Sequence, residues 1–299
     1  MAARLALIGR LLAIAALFGL LLGVYLVAIR PGKLRWGATA EELSRPLPGD
    51  DLVAAPSFEA TRAVTIMGRP EEIWPWIVQI GYGRAGFYGY DLIENLGSPR
   101  GIRSARRIVP ELQRLAPGDK VYMSAIAYLV VDSMAADRFL IWKGLDHPTD
   151  SAFTFALSPV DGRHTRLLLR IRLRYHWTDW RLPLDLFTEF ADHVAVPKML
   201  LGIRDRVEGH RVESLVPQGV QIAIWMVVFL EWAAACILIL ISRRWRRVWG
   251  VALLAGFALQ FVIYAGAPVW IGTLPALAIL AGLVWLWNTD RRLPSPHEH

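Results

Sequence analysis

Long apolar runs at both ends of the chain constrain this fold more than any other feature. The first run, LLAIAALFGLLLGVYLVAI, covers residues 11–29 without a charge, and three more lie in the C-terminal third. A helix of about 20 apolar residues crosses a bilayer core. We therefore predict about four transmembrane helices, one as an anchor in 1–30 and three in 217–288, followed by a disordered polar tail in 289–299.

The charges beside these runs predict their topology. Arg4 and Arg10 precede the first run, as in a secretory signal peptide, but no small-residue cleavage site follows it, which favours an uncleaved anchor. The loop SRRWRRVW, residues 242–249, carries four arginines and is expected in the cytoplasm. Residues 31–216 are then expected outside the cytoplasm, with both chain ends inside.

Residues 31–216 have the mixed, charged composition of one domain large enough for its own core. Pro70, followed by two glutamates and by apolar residues at helical spacing, predicts a short helix. Two β-rich runs around Asp161-Gly162 predict a hairpin. A long helix is predicted over residues 184–210, with Phe187 and Phe190 in its apolar stripe and a kink at Pro197. Further strands are predicted at 58–68 and from residues 118, 128 and 138, and a second short helix at 87–97.

This order predicts an α+β domain in which a curved antiparallel sheet wraps one long C-terminal helix. Such an arrangement leaves a cavity between the concave sheet face and the helix. The single cysteine, Cys236, excludes an internal disulfide and a cysteine-based metal cluster.

Three segments resemble the START-like, or helix-grip, superfamily, also called SRPBCC, which includes polyketide cyclase/dehydrase-like proteins. They are PEEIWPWIVQIGYGRAGFYGYDLIENL (70–96), RIVPELQRLAPGDKV (107–121) and KMLLGIRDRVE (198–208). The most similar branch is a membrane-associated bacterial one of unassigned function, so the resemblance implies a bacterial inner membrane and a cavity for a hydrophobic small molecule or lipid. It implies no reaction, because the superfamily includes carriers, cyclases, dehydratases and regulatory modules. Pro197 departs from the unbroken final helix that the superfamily leads us to expect.

The glycines at 81, 83 and 86 spell G-x-G-x-x-G, the pattern of a dinucleotide-binding turn. That turn needs a preceding strand, a following helix and an acid about twenty residues later. Here a helix is predicted before the glycines, and Arg106 occupies the position of the acid. A helix–helix loop whose glycines supply positive φ angles is the better interpretation.

Aromatic residues and one arginine on this loop suit the mouth of a cavity. Arg84 either meets a carboxylate or phosphate head, or pairs with Asp91 or Glu94 and fastens the loop. The predicted ligand-binding residues are Trp74, Trp76, Tyr82, Arg84, Tyr88, Tyr90, Trp142, Phe187 and Phe190.

Asp91, Glu94 and His176 are candidates for general acid/base chemistry if they converge on the cavity. Asp91 and Glu94 share a helix face, which is also typical of a solvated helix. The histidines show no metal-ligand spacing, so no metal and no cofactor are expected.

Two further groups of charged residues are open to two interpretations. The arginines of the second hairpin strand, residues 166–174, form either a solvated sheet face or a surface for anionic lipid headgroups; nucleic acid is not an expected partner. Glu231, in the second apolar run, is either functional or hydrogen-bonded to Gln260 in the next.

The leading hypothesis is therefore a membrane-anchored protein that binds a hydrophobic ligand, such as a lipid, without covalent chemistry and presents it at the membrane. The alternatives are an enzyme of cyclase or dehydratase type, which we favour less, and a non-catalytic membrane assembly or regulatory partner. The sequence identifies no protein partner.

Overall fold

The computed structural model describes residues 2–146, 149–266 and 269–291. It divides into two units: the two ends of the chain, up to Pro31 and from Gly219, form one, and Gly32–Gln218 form the other. We call the first the terminal unit and the second the central unit.

The terminal unit is built from helices. Helix α1 (Ala2–Val24) continues through a π-helical turn (Tyr25–Ile29) into α2 (Arg30–Leu34), which crosses into the central unit. Near the other end of the chain lie α7 (Leu215–Ile241), α8 (Trp245–Tyr264) and α9 (Val269–Arg291).

Three of these helical segments, in the described residues, are long and apolar enough to cross a membrane: Arg4–Leu34, Leu215–Ile241 and Trp245–Tyr264. The apolar part of the fourth predicted span, Ile271–Leu286, is shorter. Against the expectation of about four spans, the described residues thus contain three helices of suitable length and composition, and not clearly a fourth. The predicted tail overlaps the end of α9, which continues to Arg291, and its remainder lies outside the described residues.

Polar side chains tie the helices of the terminal unit together. Trp249 Nε1 donates a hydrogen bond to Ala13 O at 2.8 Å, and Gln260 Nε2 donates to Leu21 O at 2.8 Å. Both bonds join α1 to α8.

The hydrogen bond predicted between Gln260 and Glu231 is not made through Gln260 Oε1, because that atom has no hydrogen-bond partner among the described residues.

A six-stranded antiparallel sheet forms the frame of the central unit. Its strands are β1 (Phe58–Met67), β2 (Lys120–Tyr122), β3 (Tyr128–Ala135), β4 (Phe139–Lys143), β5 (Ser151–Pro159) and β6 (His164–Leu173). They lie in the order β1-β6-β5-β4-β3-β2, and successive side chains of each strand point to opposite faces of the sheet. The predicted hairpin is confirmed as β5–β6.

Short helices precede and interrupt the strands, and one long helix closes the unit. Helix α3 (Ala40–Ser44) comes before β1; α4 (Pro70–Val78), α5 (Asp91–Glu94) and a 3₁₀ turn (Pro110–Leu112) lie between β1 and β2. Helix α6 (Leu182–Val207) packs against β1 and α4. This α+β arrangement fits a helix-grip fold.

Helix α6 runs through Pro197 as a single long helix, as predicted. It differs from its prediction in the side chains that it buries. Phe187 and Phe190 are exposed, whereas Glu189, Asp192 and His193 are buried. The predicted apolar stripe is therefore wrong for the first half of the helix, because a buried arginine on β1 draws these polar side chains inward.

The second half of α6 is buried through apolar side chains, among them Leu200 and Ile203. Gly202 permits a close approach here: a Cβ at this position would lie 2.0 Å from the Tyr88 carbonyl oxygen. The helix therefore packs directly on the backbone of the loop between α4 and α5.

The arginines of β6 do not form the predicted solvated face. Arg170 is 3% exposed, and its Nη1 atom forms an ion pair with Asp50 Oδ2 at 2.6 Å. Arg166 Nε forms an ion pair with Glu42 Oε1 at 2.7 Å. The segment around α3 covers this face of the sheet and supplies these carboxylates. The solvated-face interpretation is wrong, and Arg166 and Arg170 are engaged within the domain rather than free for lipid headgroups.

Candidate functional site

A cavity of about 230 Å³ lies between the sheet and α6. Its wall is almost entirely apolar, with aromatic rings on the sheet side and small or aliphatic side chains on the helix side. The residues that line it are Phe87, Glu94, Met123, Trp142, Phe153, Phe155, Leu169, Ile171, Thr188, Ala191, Asp192, Ala195, Val196 and Met199. A concave apolar space of this kind is the usual form of a site for an apolar small molecule.

Glu94 is the unusual residue of this wall. Its carboxylate oxygens are buried and have no side-chain hydrogen-bond partner among the described residues; the donors beside them are the backbone N–H groups of Tyr90 and Gly89. Burial is the main cause that raises the pKa of Glu94, to about 7, and Asp91 adds to it. The carboxylate lies against Gly89, where a Cβ would be 2.6 Å from Oε1. Glu94 thus places a titratable group on a wall that is otherwise mostly apolar.

A buried network of charged side chains joins β1 to the first half of α6. Arg62 is fully buried, and its Nη2 atom lies 2.5 Å from Asp192 Oδ2 and 2.8 Å from His193 Nδ1. His193 Nε2 lies 3.3 Å from Glu189, which accepts a hydrogen bond from the Tyr175 hydroxyl. Asp192 brings this network to the cavity wall.

The residues of this network are not among those predicted from the sequence. A signal was present in β1, where Phe58, Ala60, Val64 and Ile66 alternate as buried positions and Arg62 falls in the same register. A charged residue at an inward strand position requires a buried partner. The partner itself lies on α6, far along the chain, and no spacing in the sequence points to it.

Among the predicted ligand-binding residues, the structure places Trp142 on the cavity wall. Trp76 and Tyr88 are buried and pack edge to face at 5.9 Å, and the Tyr88 hydroxyl donates to Trp76 O. Trp74 is partly buried against the core. None of these three lines the cavity in the part of the chain described.

The remaining predicted ligand residues serve loop packing or face outward. Arg84 donates to the carbonyl oxygens of Val78 and Leu112, at 3.1 and 3.0 Å, and burial lowers its pKa. It therefore fastens the loop through backbone carbonyls. The Tyr82 hydroxyl donates to Leu96 O, Tyr90 lies under Lys198, and Phe187 and Phe190 are exposed.

The glycine loop is a tight turn between α4 and α5, as predicted. Gly81, Gly83 and Gly86 all have positive φ angles. Two backbone hydrogen bonds between Gly81 and Gly86 close the turn. The chain before it is helical, so the turn lacks the strand of a dinucleotide site.

The three candidate acid/base residues occupy different environments. Only Glu94 is among the described residues that line the cavity. Asp91 is buried and accepts hydrogen bonds from Ser104 Oγ at 2.6 Å and Asn95 Nδ2 at 3.2 Å, which fasten the loop around α5. His176 Nδ1 lies 3.0 Å from Asp185, at the start of α6.

Asp146, Asp150 and His176 bring three potential metal ligands within 4.8 Å of one another. Burial and the hydrogen bond shared with Asp146 raise the pKa of Asp150. Arg181 lies 2.8 Å from Asp146 and supplies a neighbouring positive charge. The sequence did not indicate this group, because its members come from separate loops with no motif spacing.

The antiparallel sheet and α6 fit a helix-grip fold with an apolar cavity, and three helices of the chain are suited to a membrane. No family model and no curated protein matches the chain. Solved structures are similar to it at low identity. A polyketide-cyclase-like protein of Corynebacterium glutamicum is 12% identical, with 52% of this chain and 97% of that one covered and a TM-score of 0.33.

Two further solved structures are similar over the same share of the chain. A protein of Mesorhizobium loti is 17% identical, covering 50% of this chain and 98% of that one, with a TM-score of 0.30. The Aha1 protein of Colwellia psychrerythraea is 11% identical, covering 50% and 96%, with a TM-score of 0.26. At these TM-scores the likenesses say nothing about what this chain binds or catalyses.

Proposed function

We propose that this protein binds a hydrophobic small molecule or lipid, without covalent chemistry, in the cavity between the sheet and α6. The observation that carries the proposal is the apolar wall around about 230 Å³ of space. An apolar cavity of about 150 Å³ in another protein stays dry and takes up benzene. Filling such a space with apolar atoms restores the dispersion contacts that its lining lacks.

Native mass spectrometry of the full chain, released from detergent, tests this binding. We expect a co-purifying apolar molecule or, in a delipidated sample, uptake of added octan-1-ol at one site. Absence of any bound mass, together with no thermal shift across a panel of apolar molecules, would contradict the proposal.

Presentation of the ligand at a membrane is the second part of the proposal. The exposed side of the first turns of α6 and the loop before it carries large apolar side chains, which we call the aromatic surface: Trp177, Trp180, Leu184, Phe187 and Phe190. Trp180 is 83% exposed and Phe187 62%. Apolar patches of this kind mark interaction sites, and tryptophan favours the bilayer interface.

We infer that the aromatic surface contacts a lipid bilayer, because segments suited to a membrane flank the central unit along the chain. Helix α2 leads into the central unit, and only seven residues separate the end of α6 at Val207 from the start of α7 at Leu215. Both neighbouring helical segments are long and apolar enough to span a membrane. The four arginines after α7 support a cytoplasmic position for that loop. If α7 crosses the membrane, the central unit before it then lies outside the cytoplasm. This inference uses only α1 and α7 as spans and does not depend on α8 or α9.

A fluorescent label tests whether the aromatic surface contacts lipid. In a Cys236→Ser background, Leu184→Cys labelled with an environment-sensitive dye should be quenched by brominated lipids in nanodiscs, since interfacial apolar faces sink about 5–10 Å into the headgroup boundary. Val160→Cys, an exposed apolar position on the β5–β6 turn, is the matched control. Equal, weak quenching at both positions would show that the surface remains in water.

An enzyme of cyclase or dehydratase type is the second candidate, and one observation favours it. Glu94 has a pKa raised to about 7 by burial and lines the cavity, which is the setting of a general acid or base. This alternative requires that Glu94→Gln abolish turnover of a bound substrate while leaving its affinity intact. Loss of affinity instead would assign Glu94 to recognition.

A further inference from the structure

The cavity wall has few polar groups, and those that can carry a charge are all acidic. They are the carboxylates of Glu94 and Asp192, the hydroxyl of Thr188 and the indole N–H of Trp142. Lysine, arginine and histidine are absent from the lining within the described chain. The wall therefore offers two acids and no cation.

These groups differ in whether they already have a partner. Asp192 is neutralised by an ion pair in which its Oδ2 lies 2.5 Å from Arg62 Nη2, and the Thr188 hydroxyl donates to Leu184 O at 2.8 Å. Glu94 has no side-chain hydrogen-bond partner and no ion pair among the described residues; the only donors beside it are the backbone N–H groups of Tyr90 and Gly89. Trp142 Nε1 has no hydrogen-bond partner in the same part of the chain. A buried carboxylate without a cationic partner is costly, because the protein replaces only part of the hydration that it loses. Glu94 is thus the wall group that gains most from a ligand.

The surroundings of Glu94 do not remove this requirement. On its own helix Asp91 raises its pKa, while the backbone N–H groups of Tyr90 and Gly89 and the ammonium of Lys198 on α6 lower it. Lys198 is held 2.5 Å from Glu213 and is not a residue of the cavity wall. Within the described chain, these surroundings place no cation inside the cavity.

We propose that the ligand of this cavity is an apolar molecule with a protonated amine, and that Glu94 recognises the amine. This inference rests on the proposed binding function and names its ligand class. An ammonium would form a charge-assisted hydrogen bond with this carboxylate, which lacks a cationic partner on the cavity wall, and such bonds are roughly twice as strong as neutral ones. A carboxylate ligand would instead face two acids at low dielectric, which repels it.

The charge of Glu94 gives this selectivity a pH dependence with a defined sign. Glu94 is ionised above pH 7 and neutral below it, given its raised pKa. An alkylamine remains protonated throughout, because its pKa is about 10. Amine binding should therefore be strongest above pH 7 and weaken as the pH falls, while binding of an alcohol should change little.

Three matched probes test the proposal on the full chain in nanodiscs, with empty nanodiscs as the blank: octylamine, octan-1-ol and octanoate. At pH 8 octylamine should bind at least about tenfold more tightly than octan-1-ol, the size of one hydrogen bond to a charged group. Octanoate should bind most weakly. Between pH 8 and pH 5.5 the octylamine affinity should fall roughly tenfold, to the level of octan-1-ol, as Glu94 becomes protonated.

Glu94→Gln keeps the size of the side chain and removes its charge. Octylamine affinity in this variant should fall to the level of octan-1-ol and lose most of its pH dependence. Asp192, His193 and Lys198 stay in place, so any pH dependence that survives belongs to them. The comparison of probes in the unaltered protein needs no variant and holds even if Glu94→Gln folds poorly.

The possible failures are distinguishable. Equal binding of octylamine and octan-1-ol, or an unchanged pH profile in Glu94→Gln, overturns the amine assignment and leaves the binding function intact. Tightest binding of octanoate also overturns it. If none of the three probes binds at any pH, the proposed binding function fails and the ligand class fails with it.

Discussion

Replacing Arg62 with methionine should lower the free energy of unfolding of the central unit by about 3–5 kcal/mol, because removal of one partner leaves a buried charge uncompensated. Arg62 is fully buried and lies against Asp192 and His193. The loss is measurable by hydrogen–deuterium exchange of β1 and α6 in the full-length protein, where protection reports local opening.

An exposed arginine provides the control. Arg69 lies 3.1 Å from Glu71, but both side chains are more than half exposed, so Arg69→Ala should change stability by less than about 1 kcal/mol. Adding Asp192→Asn to Arg62→Met should recover part of the loss, since the unpaired carboxylate is then gone. A loss in Arg62→Met no larger than that in Arg69→Ala would show that the network is not stabilised by its charges.

Replacing Ala191 with phenylalanine should abolish ligand binding while the fold persists. Ala191 lines the cavity on the helix side, and a phenyl ring there occupies the space that a ligand needs. Overpacking a filled core costs about 1–3 kcal/mol, but insertion into an empty space costs less. Native mass spectrometry should then show at least a roughly tenfold loss of bound octylamine or octan-1-ol, the scale of a steric mismatch in an apolar pocket.

The matched control for this variant lies on the opposite side of the same helix. Leu186 is 49% exposed, so Leu186→Phe adds an aromatic ring outside the cavity and should leave binding unchanged. Full occupancy in Ala191→Phe would place the ligand elsewhere in the protein.

Local patterns were sufficient to predict most of the central unit. The Asp161-Gly162 turn, the alternation along β6 and the Pro70 start of α4 each depend on residues within one element. The glycines at 81, 83 and 86 were correctly assigned to a loop because the helix before them contradicts a nucleotide-binding turn. In these cases propensity and tertiary structure agree.

Pairings between distant segments were not predictable. The partners of Arg166 and Arg170 lie around α3, more than a hundred residues earlier in the chain, so their burial has no local signal. The pairing of Arg62 with α6 is also between distant segments. Because Asp192 pairs with buried Arg62, this face of α6 is buried and Phe187 is exposed on another face. Apolar periodicity alone predicts the wrong buried face for that half of the helix, because it places every charged side chain in solvent.

The terminal unit has one consequence for the unfolded state of the central unit. Hydrogen bonds from Trp249 and Gln260 join α8 to α1, so the first and last parts of the chain are held together by packing. While that packing persists, the unfolded central segment is a closed loop rather than a chain with free ends. Loop closure of this length, as by a disulfide, lowers the entropy of the unfolded chain by an amount worth about 5 kcal/mol. A protein with one cysteine would thus obtain, from its helices, the effect of a covalent crosslink.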